Sequence, residues 1–171
     1  MSTVTQILLH TPPWVFGLFA ALLWLGLRRL SPSDMKPARL LIVPAVFLAW
    51  GVAGMATKPL PAETILLGWL AGLAAGLAVG MLNAPVAALR VDRAAGRIRV
   101  PGSAAPLLIG MGVFFTKYAL AVATAMRPDW REFTALAELA VSGGSAGYFV
   151  GFLLRTALAY PGLPDAAPSH P

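Results

Sequence analysis

Five blocks of apolar residues, each close to bilayer length, alternate with short polar or proline-rich breaks along this 171-residue chain. A membrane-spanning helix needs about 20 predominantly apolar residues, with about 17–25 tolerated. By that measure the pattern predicts spans over about 12–27, 38–56, 62–86, 104–126 and 133–155, an all-α integral membrane protein of five transmembrane helices. Thr11 is placed to cap the first helix, and Pro12 and Pro13 suit its first turn. Trp14 and Trp24 stand near its two ends, as interfacial aromatics do. Pro44 falls inside the second block and predicts a kink there. Between the third and fourth blocks, residues 89–100 alternate polar and apolar positions around Gly96 and predict a short β-hairpin. Residues 161–171 are rich in Pro and Ala and are expected to be a disordered tail.

The third block carries a second pattern. Gly68, Gly72, Gly76 and Gly80 recur every fourth residue, which stacks them along one helical stripe. Each would cost roughly 0.5–1 kcal/mol against alanine in a helix in water. In lipid such a stripe lets a second helix approach backbone to backbone. The fifth block repeats the motif: Gly143, Gly147 and Gly151 follow Glu138 at the offsets at which Gly68, Gly72 and Gly76 follow Glu63. Leu40-Leu41-Ile42 and Lys58-Pro59 are echoed by Leu107-Leu108-Ile109 and Arg127-Pro128, so helices two and three read as a tandem repeat of helices four and five. The stripes can meet within the chain, or against a second copy or a membrane partner.

Composition agrees with the pattern. Hydrophobic residues make up 58% and charged residues 12%, against about 25% charged in soluble domains. The net charge of +6 resolves by position rather than pointing to nucleic acid. Nine Lys and Arg fall on the side holding 28–39, 90–99 and Arg155, and three fall on the other, with Lys117 inside a span. The positive-inside rule then places the N-terminus outside and the C-terminus and hairpin in the cytoplasm. The chain has no cysteine, which excludes disulfides and thiolate metal sites, and its two histidines lie near opposite ends, so neither a metal nor another cofactor is expected. Serine-hydrolase, phosphate-loop and zinc-helix motifs are absent.

The polar residue most in conflict with its surroundings is Lys117, about 13 Å from the end of its helix by helical rise. A lysine there should face the bundle and have a partner. Glu138, on the same half of helix five, is the expected partner, with Tyr118 and Tyr148 as further polar groups of an intramembrane site. The pair reads either as a proton or anion site or as a structural tie. If they pair, Lys117→Met alone should damage the protein more than Lys117→Met combined with Glu138→Gln. Arg90, Arg93, Arg97 and Arg99 are placed to meet anionic lipid headgroups, or serve topology alone. Glu63 suits the N-terminus of its helix. His10 reads as an interfacial polar residue or as a haem ligand.

Several stretches resemble an uncharacterised family of bacterial inner-membrane proteins found in proteobacteria. They are Leu8-Leu9-His10-Thr11-Pro12-Pro13-Trp14-Val15, Leu22-Leu23-Trp24-Leu25-Gly26-Leu27-Arg28, Val100-Pro101-Gly102-Ser103 with Pro106-Leu107, Lys117-Tyr118, and Ser145-Ala146-Gly147-Tyr148-Phe149-Val150-Gly151. The Arg-x-Asp-x-x-x-Gly-x-Ile hairpin is similar, more distantly, to CcdC-type proteins of cytochrome c biogenesis, though a chain without cysteine departs from thiol chemistry. The resemblance implies location in a bacterial inner membrane and carries no activity. Three functions follow as expectations. One is a non-enzymatic membrane module packing through its glycine stripes with itself or a partner. Another is a small transporter or permease using Lys117 and Glu138. The third is an accessory to haem or cytochrome assembly.

Overall fold

The computed structural model describes residue 9 and residues 11–166. Its elements are helix α1 (Pro13–Arg28), strand β1 (Ser33–Met35), helices α2 (Ile42–Met55) and α3 (Ala62–Asn83), strands β2 (Arg90–Asp92) and β3 (Arg97–Val100), and helices α4 (Ala105–Met126) and α5 (Arg131–Ala159). Four helical stretches are long and apolar enough to cross a bilayer: Pro37–Met55, Ala62–Asn83, Ala105–Met126 and Pro128–Gly162. The fifth, Pro13–Arg28, is shorter. Large apolar side chains point outward along all of them, Leu82, Leu108 and Trp50 among them. This inside-out distribution fits a multi-pass membrane protein and not a soluble bundle.

The centre of the bundle is the contact between α3 and α5, which run parallel. A Cβ at Gly72, Gly76 or Gly80 would collide with the backbone of Ala140, Gly144 or Tyr148. A Cβ at Gly143, Gly147 or Gly151 would collide with the carbonyl of Trp69, Leu73 or Leu77 in return. Each stripe is therefore covered by the other inside one chain, which leaves neither open to a second copy or a partner. Reciprocal contacts pair Gly72 with Gly143, Gly76 with Gly147 and Gly80 with Gly151. The repeat read from sequence aligns Gly68 with Gly143, one turn away. Gly68 itself meets the side chains of Leu136 and Leu139 at ordinary van der Waals distance. Backbone fit sets this register, and the matching Glu63 and Glu138 offsets do not.

The other helices build outward from this pair: α2 and α4 both pack on α5, and α1 packs on α4. Gly26 admits Leu107 at the α1–α4 contact. Phe19 packs against Phe114 at 5.5 Å between ring centroids on the same interface. Pro44 does not lie in mid-helix, where the sequence suggests it. It falls in the first turn of α2, after a 3₁₀ segment at Pro37–Leu41, where a missing N–H costs little. The N-cap of α1 is Pro12 rather than Thr11, whose hydroxyl bonds across to Tyr118.

The expected hairpin exists as β2–β3, with Gly96 at φ 60° in its turn and Asp92 accepting from the Ala95 N–H. A third strand joins it: β1 pairs antiparallel with β3, Met35 opposite Ile98, giving the order β1-β3-β2. Three residues are too few to read as a strand alone. The tail also departs from the expected disorder as far as residue 166. The Val91 N–H bonds the Pro164 carbonyl, the Ala166 N–H bonds the Val91 carbonyl, and Arg93 pairs with Asp165. Leu163 closes a small core with Leu89, Val91 and Ile98. The expectation for 167–171 lies outside the described residues.

Replacing Gly76 or Gly147 with valine should force α3 and α5 apart at a cost of at least about 1–3 kcal/mol. Gly17→Ala and Gly112→Ala, where a Cβ meets nothing within 4 Å, should be neutral or slightly stabilising. Thermal unfolding of the detergent-solubilised protein, followed by circular dichroism, separates the two classes.

Candidate functional site

Because α1 rides on α4 while α2 stays with α3 and α5, a cleft opens between the two groups. It holds about 870 Å³, near the upper end of the 300–1,000 Å³ usual for small-molecule sites. Its walls are overwhelmingly apolar: Leu18 and Leu22 from α1, Val46 and Phe47 from α2, Val113 and Phe114 from α4. Along α4 the lining runs from Gly110 to Met126, about 24 Å by helical rise. Lys117 sits partway along that wall. Tyr118 stands beside it, bonded to Thr11 at 2.7 Å between oxygens, and closes the α1 side.

A second, smaller space of about 170 Å³ adjoins the cleft and is lined by Gly54, Thr57, Lys58, Glu138, Leu139 and Ser142. Trp50, Lys117 and Ser142 line both spaces, so they mark the junction. The smaller pocket lies toward the α2–α3 turn, at the end of the bundle opposite the sheet. The turn itself is closed locally by Thr57 donating to the Gly54 carbonyl at 3.0 Å. Behind Gly51 lies Trp69, 7% exposed, whose indole N–H finds no acceptor among the described residues. A Cβ at Gly51 would press on that nitrogen and approach the Ser142 hydroxyl.

The charges of this pocket are arranged differently from the sequence expectation. Glu138 pairs with Lys58 rather than with Lys117, and both side chains are largely withdrawn from solvent, at 25% and 18% exposure. The reason is topological. The α2–α3 turn brings Lys58 to the second turn of α5, and its four-carbon stem reaches the carboxylate from above. Lys117 lines the same pocket but takes part in none of the ion pairs among the described residues. The pocket thus holds two lysine side chains and one glutamate.

Of the polar site expected from sequence, Lys117 lines the polar pocket with Glu138 and the cleft with Tyr118, while Tyr148 lines neither. Tyr148 lies toward the sheet end, its carbonyl against Gly80 and its ring edge-on to Phe149 at 5.4 Å. Glu63 is exposed in the first turn of α3, away from both cavities. Three of the four hairpin arginines serve the sheet: Arg90 donates to the Ala87 and Leu89 carbonyls, Arg93 to Asp165 and the tail, and Arg99 to Asp34 at 3.1 Å. Arg97 is exposed. His10 lies outside the described residues. Sequence reasoning missed Lys58, Trp50, Ser142 and Ser145. For Lys58 the signal existed, since its turn and Glu138 lie at the same end of the predicted topology.

A model described as Family of unknown function (DUF6622) matches residues 2–162. No curated protein and no solved structure matches the chain.

The revised pairing has a direct test in a double-mutant cycle. Lys58→Met and Glu138→Gln should show a coupling of about 1–2 kcal/mol, within the range for residues in one charge network. Lys117→Met and Glu138→Gln should couple more weakly. Thermal melts of the parent protein, the three single variants and the two double variants read both couplings, and a stronger Lys117 coupling would restore the pairing expected from sequence.

Proposed function

The chain belongs to this family of unknown function, so its activity must be read from its own geometry, and we propose that it is a non-enzymatic five-span membrane protein that takes a bilayer-borne molecule into the cleft beside Lys117. The observation that carries this reading is the junction. An apolar cleft of about 870 Å³ and a polar pocket of about 170 Å³ share Trp50, Lys117 and Ser142. A site of this kind suits a molecule that arrives from lipid and presents one polar end. The α1 helix counts as the fifth span in this reading, since it lines the cleft from Leu22 to the Thr11 end.

Charge placement supports N-out, C-in orientation in a bacterial inner membrane. The sheet end carries nine Lys and Arg and the opposite end three. The polar pocket then opens toward the outer side.

A second reading, a small permease, draws on the same junction, because the polar pocket and cleft together lead from the α2–α3 turn into the apolar wall. It differs in requiring water to reach Lys117 from the other side as well.

Single cysteines test both in a chain that has none of its own. Lys117→Cys should react with a membrane-impermeant maleimide applied outside, and Val113→Cys only with a lipid-permeant one. Labelling of the Lys117→Cys variant from both sides favours the permease. Failure of both variants to react with either reagent removes the cleft reading.

A further inference from the structure

Resting on the reading of the cleft as a bilayer-accessible site, we infer that its ligand is a single-chain amphiphile ending in an oxyanion, a carboxylate or a phosphate monoester. Three features converge on that chemistry.

The first is charge. The ionisable groups that line the pocket and the cleft are Lys58 from the α2–α3 turn, Lys117 and Tyr118 from α4, and Glu138 from α5. Lys117 makes no ion pair among the described residues, and the one carboxylate that shares its pocket, Glu138, is already held by Lys58. A charge so placed is costly unless something pairs with it. A carboxylate ligand balances the two lysines and Glu138, and a phosphate monoester, at about −1.5 to −2 near pH 7, balances them with a small negative excess.

The second is hydrogen-bonding sense. The group lining the junction that no acceptor among the described residues has claimed is a donor, the Lys117 side chain, while the buried Trp69 indole N–H lies behind Gly51, outside both linings. The Ser142 hydroxyl faces the same pocket. Glu138, the one strong acceptor there, is engaged by Lys58. Oxyanions accept several hydrogen bonds at once and suit a donor-rich site. Alcohols and amines leave donors idle or add another.

The third is proportion. The polar space is about 170 Å³ and the apolar one about 870 Å³. That ratio fits a compact head on a long hydrocarbon tail. The tail has its own bed away from Lys117 toward the sheet end, between Leu18, Leu22, Val46, Phe47, Val113 and Phe114.

Photoaffinity labelling of the purified full-length protein in neutral-lipid nanodiscs tests the assignment. Three probes share one diazirine-bearing alkyl chain and end in a carboxylate, a phosphate monoester or a hydroxyl. At least one anionic probe should label residues around Val113 and Phe114 at a concentration tenfold or more below the alcohol. Labelling by the carboxylate alone would identify a fatty-acid-like ligand, and by the phosphate alone a lipid phosphate. Lys117→Met should reduce anionic labelling to the alcohol level while leaving alcohol labelling unchanged, and Lys117→Arg should retain the preference. Glu138→Gln should shift the preference the other way, strengthening anionic labelling. Equal labelling by all three probes, or a preference that survives Lys117→Met, overturns the oxyanion assignment while sparing the cleft. Absence of cleft labelling by any probe overturns the cleft reading itself.

Discussion

Backbone-to-backbone contact between α3 and α5 is the constraint on which the rest of this protein depends. In lipid, helices gain little from hiding apolar side chains, because the surrounding tails are as apolar as leucine. Association must come from close van der Waals fit and from polar ties. Six glycines provide that fit here, three on each helix, each sitting against the other helix's main chain. Ala146, completely buried, and Leu139 fill the space around them. The conformational cost of so many glycines is offset by an approach that no larger residue allows.

That contact also determines where the open space lies. With one face of α5 committed to α3, its remaining sides carry both α2 and α4. These two helices flank α5 without closing on each other, and α1, attached to α4 through Gly26 and the Phe19–Phe114 contact, cannot fill the gap. The cleft is thus the residue of an asymmetric arrangement around a nearly symmetric pair. The sheet end is different in kind. There Leu89, Val91, Ile98 and Leu163 form a small conventional core, tied down by Arg93 and Arg99, which serve as local clamps.

Much of the fold was legible in sequence because it rests on local signals. Long apolar blocks, the hairpin turn at Gly96 and the every-fourth glycine stripes each announce themselves within a few residues. The anomaly of Lys117 was legible for the same reason, since a lysine between Thr116 and Tyr118 in an apolar helix stands out wherever its neighbours lie. What escaped was pairing. Glu138 had two lysines within topological reach, and only the depth of the α2–α3 turn decides in favour of Lys58. The register of the stripes was not legible because glycine spacing is periodic, and a periodic pattern cannot report its own phase. Strand β1 and the ordered part of the tail were invisible because each exists only through a partner far away in sequence.

The parallel pairing of α3 with α5 has a consequence for how the protein is made. The two helices are separated by the hairpin and all of α4, so α3 enters the membrane well before its partner is synthesised. During that interval its glycine face is bare to lipid, and the site beside Lys117 lacks the α5 wall that carries Glu138 and Ser142. The last helix is therefore the step that closes the centre: before it arrives α1 can already pack on α4 through Gly26 and Phe19, but α3 and α2 lack the helix on which both are built.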